Sequence, residues 1–292
     1  MSNAADHRSG KGHRDENFPV ASLIIHPKHR PAILAFYNFV RVADDIADHA
    51  TLSENEKIEL LNALEADLLA GRGSAEAIAL HAAQRDRGLS PQHAQDLLTA
   101  FRLDVTKRRY RDWDDLIDYC RYSAMPVGRF VLDVHGESRA TWPANDALCA
   151  ALQVINHLQD CGKDYRDLDR VYIPLDAFAA AGAMVESLGQ SQATPQLRSC
   201  ISGLATRTAG LLLQSSPFAT IIQDTRLGLE VSVIQTLAER LVGFLQTRDP
   251  LSEPVHLGKP GMAALAMLGI VRGLTRRVIA PRRAVTMAGQ GE

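Results

Sequence analysis

The sequence predicts an all-α protein, and three observations predict it. Apolar residues recur at helical spacing along most of the 292 residues, strand-like alternation is scarce, and proline, glycine and Ser/Asp caps interrupt the pattern at helix-sized intervals. With 46% hydrophobic residues and no internal repeat, the chain suits one sizeable core, and a single folded domain is expected over residues 17–275.

Residues 1–16 are polar, rich in His, Gly and charge, and without periodicity, so they read as a mobile leader. From Asn17 the pattern FPVASLII predicts a short helix, and Pro27 and Pro31 open a longer one over about Ala32 to His49. Ser53 followed by Glu56 has capping-box spacing and starts a helix that Gly71 ends. Another is expected from about Ala75 to Arg87, and Ser90-Pro91 opens the next, to about Thr106. Asp114 to about His135 reads as one helix kinked at Pro126, because an internal proline removes a hydrogen bond. Asn145 to Asp164 follows, then residues 167–174 as a turn, and helices over Pro174–Ala181, Pro195–Leu213 and Phe218–Thr247. The last apolar helix, about Met262–Leu274, precedes a basic tail over residues 276–292. It is read as a core helix with a charged tail, the alternative being a surface anchor on anionic lipid.

Charge and cysteine usage narrow the function. Thirty-two Lys+Arg against 34 Asp+Glu leave a formal charge of -2, without the basic excess of a nucleic-acid binder. Cys120, Cys149, Cys161 and Cys200 show neither CxxC spacing nor disulfide-scaffold density, which suits reduced thiols in a cytoplasm. No run reaches the roughly 18–20 apolar residues of a membrane helix, so a soluble or peripheral protein is expected, cytoplasmic or held at the inner membrane.

Two acidic patches carry the chemistry. Asp44 and Asp48 are spaced i, i+4, and Asn156, Asp160 and Asp164 are i, i+4, i+8, so each set projects oxygens from one helix face. Like charges at that spacing need a counter-charge, and oxygen-only ligands favour a hard ion such as Mg2+ held together with substrate phosphates. The patches therefore read as facing halves of a metal–diphosphate site. Tyr37 and Arg41 share the Asp44–Asp48 stripe, and Lys107, Arg108 and Arg109 form a basic cluster. His157 is expected to face away, since Mg2+ prefers oxygen. Gly71-Arg72-Gly73 lacks the third glycine and preceding strand of a dinucleotide fingerprint.

Five motifs in order resemble the squalene/phytoene synthase family of head-to-head trans-isoprenyl enzymes. They are Tyr37-x-x-x-Arg41-x-x-Asp44-Asp45-x-x-Asp48; Asp104-x-x-Lys107-x-Arg109-Tyr110; Tyr122 with Val127-Gly128; Asn156-x-x-x-Asp160-x-x-x-Asp164; and Arg170-Val171-Tyr172-Ile173-Pro174. The resemblance runs from Asn17 to about Leu274. It implies an isoprenoid synthase fold around a central apolar cavity, with two or three Mg2+ ions on Asp44, Asp48, Asn156, Asp160 and Asp164. It also implies a diphosphate clamped by Arg41, Lys107, Arg109 and Arg170, and a pocket walled by Tyr37, Val127, Gly128 and Tyr172. Tyr122 is the implied polar catalytic group, steering the leaving proton or diphosphate or positioning a water.

Residues 16–22 and Pro126 are most similar to the bacterial hopanoid branch, whose members ionise presqualene diphosphate and capture the rearranged cation with water, without NADPH. Such an enzyme works between a separate presqualene diphosphate synthase and a squalene-forming reductase. Two departures matter: residues 14–18 lack the Ser/Lys-containing segment of carotenoid-type synthases, and Met125 stands where the family has glycine. A condensing synthase and a non-catalytic lipid-binding homologue are the alternatives.

Overall fold

A computed structural model describes residues 24–279; the expected leader, most of the first short helix and the tail beyond Ile279 fall outside them. Among the described residues thirteen α-helices follow one another, without a strand. They are α1 (Arg30–Ala47), α2 (Glu54–Ala70), α3 (Ala75–Arg87), α4 (Gln92–Thr106), α5 (Trp113–Ser123), α6 (Met125–His135) and α7 (Trp142–Gln159). After these come α8 (Cys161–Leu168), α9 (Leu175–Ala181), α10 (Pro195–Gln214), α11 (Phe218–Ile221), α12 (Thr225–Thr247) and α13 (Lys259–Ile279). Ser53 and Glu56 do form a reciprocal capping box, and Gly71 ends α2 in the left-handed region.

Three expected helices are divided, each for a local reason. Ala124, at φ -127 and ψ -49, separates α5 from α6. Pro126 then lies in the first turn of a new helix, where the N–H it lacks would have no intrahelical acceptor. Asp160, at φ -98 and ψ 6, separates α7 from α8, although hydrogen bonds from Asp160 N to Asn156 O and from Asp164 N to Asp160 O carry the helical path across the bend. Asp224 splits the third, because its carboxylate accepts from the backbone of Arg226 and Leu227 and starts α12 afresh.

Helix α1 packs on α2, α3, α4 and α6, and α7 packs on α5, α6, α10 and α12. Phe36 of α1 stacks on Phe130 of α6, ring centroids 4.0 Å apart. Helix α13 lies along α12 instead of inside the core, which corrects the core-helix reading. Gly269 and Gly273 are its buried residues, and a β-carbon on Gly269 would come within 2.7 Å of the Val233 backbone. A seam of glycines thus lets the two backbones approach, and it leaves Met267, Val271, Leu274 and Val278 as an exposed apolar stripe at i, i+4, i+7, i+11. The helix runs through Ile279, past the expected boundary at 275.

Candidate active site

A cavity of about 550 Å3 opens between the helices, within the roughly 300–1,000 Å3 typical of small-molecule sites. Two helices divide it chemically. Helix α1 turns in Ile33, Phe36 and Val40, and then Arg41, Asp44 and the cap residue Asp48; α7 turns in Leu148 and Leu152, and then Asn156 and Asp160. In each helix the apolar residues come first and the oxygen ligands stand at the C-terminal end. Asp164 joins them from the first turn of α8. The two patches line the same cavity, and Asp48 is among the charges that raise the Asp164 pKa.

Cations already bind part of this charge. Arg41 donates to Asp44 at 2.6 Å and to Asp45 at 3.0 Å. Arg170, buried, donates to Asp48 at 2.7 Å and to the Ala47 carbonyl. These are not enough. The Asp44 side chain is 36% exposed, but it opens onto the cavity, and burial followed by repulsion from Asp48 raises its pKa to about 7. Burial followed by Asp160 raises Asp164 to about 7 as well. A cluster of oxygen donors that holds protons near neutrality is short of positive charge, and this donor set fits a hard divalent cation. Asp44 and Asp48 on one side, and Asn156, Asp160 and Asp164 on the other, would hold it.

A parallel bridge between Arg109 and Val171 fixes the two loops beneath the site. Around it Val171 N donates to Arg108 O, and Leu175 N to Tyr110 O. This pairing carries Arg170 and Tyr172 into the cavity wall. It also turns the neighbouring cations away. Lys107 pairs with Asp115 at 2.9 Å and lies over the Tyr110 ring, while Arg109 donates to the Asp169 carboxylate and carbonyl. Neither lines the cavity, so of the four expected diphosphate clamps the structure gathers Arg41 and Arg170.

Tyr37, Val127, Gly128 and Tyr172 all line the wall as expected. Tyr122 does not: it is 41% exposed and lies outside the lining. At 100° per residue it stands half a turn around α5 from the buried Trp113, whereas Leu116, Tyr119 and Cys120 share the inward side. Tyr119 occupies the cavity wall instead, with its hydroxyl donating to Asp104 Oδ2 at 2.8 Å. Tyr172 donates to the other oxygen, Oδ1, also at 2.8 Å. Burial raises Asp104 to about 6, despite Arg170 and both hydroxyls, and holds both phenols well above their ordinary range.

His157 also belongs to the wall instead of facing away. Its ring stacks on Tyr172 at 3.5 Å, and burial, reinforced by Arg170, lowers it to about 3, so it is a neutral imidazole. Asp104, Tyr119 and Glu230 are wall residues to which sequence reasoning gave no role. Asp104 heads one of the motifs and so carried a signal. Glu230, a buried carboxylate on the α12 face with Leu227, Val231 and Ile234, carried none.

The comparisons agree with this geometry. The squalene/phytoene synthase family matches residues 12–260. Hydroxysqualene synthase of Rhodopseudomonas palustris is 64% identical over 92% of each chain, and that of Sinorhizobium fredii is 58% identical over 88% of each. The crystal structure of squalene synthase HpnC from Alicyclobacillus acidocaldarius superposes with a TM-score of 0.70 at 30% identity, over 78% of this chain and 86% of that one. By the extent of the family match and these identities, the chain belongs to the squalene/phytoene synthase family.

Proposed function

We propose that this protein is a hydroxysqualene synthase: it ionises presqualene diphosphate, lets the cation rearrange, and captures it with water. The observation that carries the reading is the division of one cavity into an end with two facing sets of oxygen ligands and a remainder lined by aliphatic and aromatic side chains. The choice of branch is supported by relatives 64% and 58% identical over most of the chain.

In this reaction the C–O bond to diphosphate breaks with both electrons going to oxygen. The rearranged cation then forms a bond to a water oxygen, and the water gives up one proton, so no reductant is consumed. Two or three Mg2+ ions on Asp44, Asp48, Asn156, Asp160 and Asp164 would supply the charge that makes diphosphate a leaving group. Arg41 and Arg170 bind and orient the phosphate oxygens, and both are already positioned by their own carboxylates. The Asp104–Tyr119–Tyr172 cluster holds two hydroxyls in fixed positions at the boundary between the charged end and the apolar wall. Phe36, Val40, Leu148 and Leu152 keep bulk water from the cation.

Among the described residues no helix is long and apolar enough to cross a membrane. Substrate and product are lipids, and the exposed stripe of α13 suits peripheral contact with the inner membrane from the cytoplasm. There it would stand between a separate presqualene diphosphate synthase and a squalene-forming reductase. Replacing Val271 and Val278, 55% and 81% exposed, by Asp should lower co-sedimentation with anionic liposomes; unchanged partitioning would exclude this face.

The deciding experiment incubates the protein with Mg2+ and either presqualene diphosphate or farnesyl diphosphate, with and without NADPH, and identifies the extracted lipids by mass spectrometry. Hydroxysqualene from presqualene diphosphate, indifferent to NADPH, is expected. A thirty-carbon product from farnesyl diphosphate assigns a condensing synthase instead, and no product from either overturns the reading in favour of a longer prenyl substrate or a lipid-binding role.

A further inference from the structure

Away from the cavity, three segments distant in the sequence bring metal-ligating groups together. His29 caps α1, His135 ends α6 and Asp224 caps α12. Their candidate ligand atoms all lie within 4.8 Å of one another, and the two imidazole rings are 4.0 Å apart. None of the three lines the cavity.

The hydrogen bonds leave a lone pair facing no donor. His135 Nδ1 is 2.8 Å from the Val131 carbonyl, which only accepts, so the ring proton sits on Nδ1. His135 Nε2 is then a bare acceptor, and it is buried with no hydrogen-bond partner. An orphaned buried acceptor of this kind costs about 1–3 kcal/mol unless something occupies it. A backbone carbonyl on one ring nitrogen and an open lone pair on the other is how proteins orient a metal-binding histidine. Asp224 has a similar division: Oδ1 accepts from Arg226 N at 2.8 Å and from Leu227 N at 3.0 Å, which leaves Oδ2 for another partner.

The surrounding charges compete. Glu137 accepts from the backbone of Gln223 and Asp224 and adds a second carboxylate to this corner. Against it, Arg87 places Nη1 3.4 Å from His29 Nδ1 while also donating to the Lys28 carbonyl. Arg87 is exposed and its side chain can swing into solvent, so the contact does not close the site. Two imidazoles and one carboxylate select a borderline transition metal over Mg2+.

We propose that His29, His135 and Asp224 form a second cation site, taking Zn2+ or a similar borderline metal, that ties the ends of α1, α6 and α12 together apart from the diphosphate end. Each of these helices also contributes to the cavity wall, so the ion would brace the apolar chamber without entering it.

The test uses the full chain, stripped with chelator and held in excess Mg2+ so that hard-ion sites are filled. His7 and His13 are replaced by Ala to remove other nitrogen ligands near the N-terminus. Equilibrium dialysis against Zn2+ with elemental analysis should give one ion per chain. His135→Gln and Asp224→Asn, the latter keeping the helix cap, should each weaken binding by more than the roughly 10–100-fold that loss of an outer hydrogen bond to a ligand costs. Asp44→Asn should leave zinc stoichiometry unchanged. Co2+ added to the otherwise unsubstituted protein provides a readout that does not depend on any variant folding. An intense visible d–d band displaced by Zn2+ supports the site; no band, or zinc retained by both His135→Gln and Asp224→Asn, overturns it.

Discussion

The sharpest consequence of the site concerns Asp104→Asn. The carboxylate is buried, accepts one tyrosine hydroxyl on each oxygen, and has a pKa raised from 3.8 to about 6, chiefly by burial. A raised carboxylate pKa means that the folded protein binds the proton more tightly than the unfolded chain does. Between pH 3.8 and about 6 the native state therefore holds more protons, and stability falls as pH rises through that window. Above it the penalty is constant. At about 1.4 kcal/mol per pH unit, the gap from 3.8 to about 6 amounts to about 3 kcal/mol.

An amide removes the charge and keeps both partners, since its oxygen accepts one hydroxyl while its N–H donates to the other tyrosine oxygen. Asp104→Asn should then stabilise the protein by about 3 kcal/mol at pH 7.5, or roughly 6–12 °C in Tm at about 2–4 °C per kcal/mol for a chain of this size. The gain should shrink through pH 5 and vanish by about pH 4. Turnover should fall, because the two hydroxyls lose the anion that fixes them. Urea titrations of both proteins across that pH range measure the difference directly. A gain that does not depend on pH refutes the argument; a loss of stability at pH 7.5 refutes it too and means that Arg170 and the two hydroxyls offset the buried charge.

Asp44→Asn and Asp160→Asn should each abolish Mg2+-dependent diphosphate release while the far-UV circular dichroism stays that of the parent; near-parental rates in either would remove it from the metal site. Lys107→Ala should leave KM for the diphosphate substrate unchanged and cost at most about 1 kcal/mol, as expected for a partly exposed pair with Asp115. Arg170→Gln, which loses the 2.7 Å bond to Asp48, should raise KM and lower the unfolding midpoint together; equal kinetic effects from the two variants would contradict the assignment. Gly128→Ala should destabilise by about 1–3 kcal/mol, because its β-carbon would fall on Asn145 Oδ1 and within 2.7 Å of Cys149 Sγ, and thermal denaturation reads this directly.

Much of this architecture was legible because helix boundaries are written in local chemistry. Ser53 with Glu56, and Gly71, mark ends that depend on the residues themselves, and those ends hold. The divisions at Ala124, Asp160 and Asp224 were harder to read, since they fall inside continuous apolar patterns that periodicity joins into single helices. The acidic stripes were legible for the same reason as the caps: i, i+4 spacing within one helix puts oxygens on one face whatever surrounds it.

Direction toward a partner is a different kind of information. Tyr119 and Tyr122 lie three residues apart on α5, and the resemblance singles out Tyr122; the packing of α5 decides otherwise, by burying the side that holds Trp113, Leu116 and Tyr119. Lys107 and Arg109 were expected to clamp diphosphate because the resemblance implies it, but whether a cation points into the cavity depends on where the carboxylates that pair with it lie. Asp115 and Asp169 occupy them, the second from a loop sixty residues away. Arg170 was one cation among several in the sequence. It becomes the buried partner of Asp48 because the bridge between Arg109 and Val171 aims it inward, so the contact that turns Arg109 away is the one that delivers Arg170 to the site.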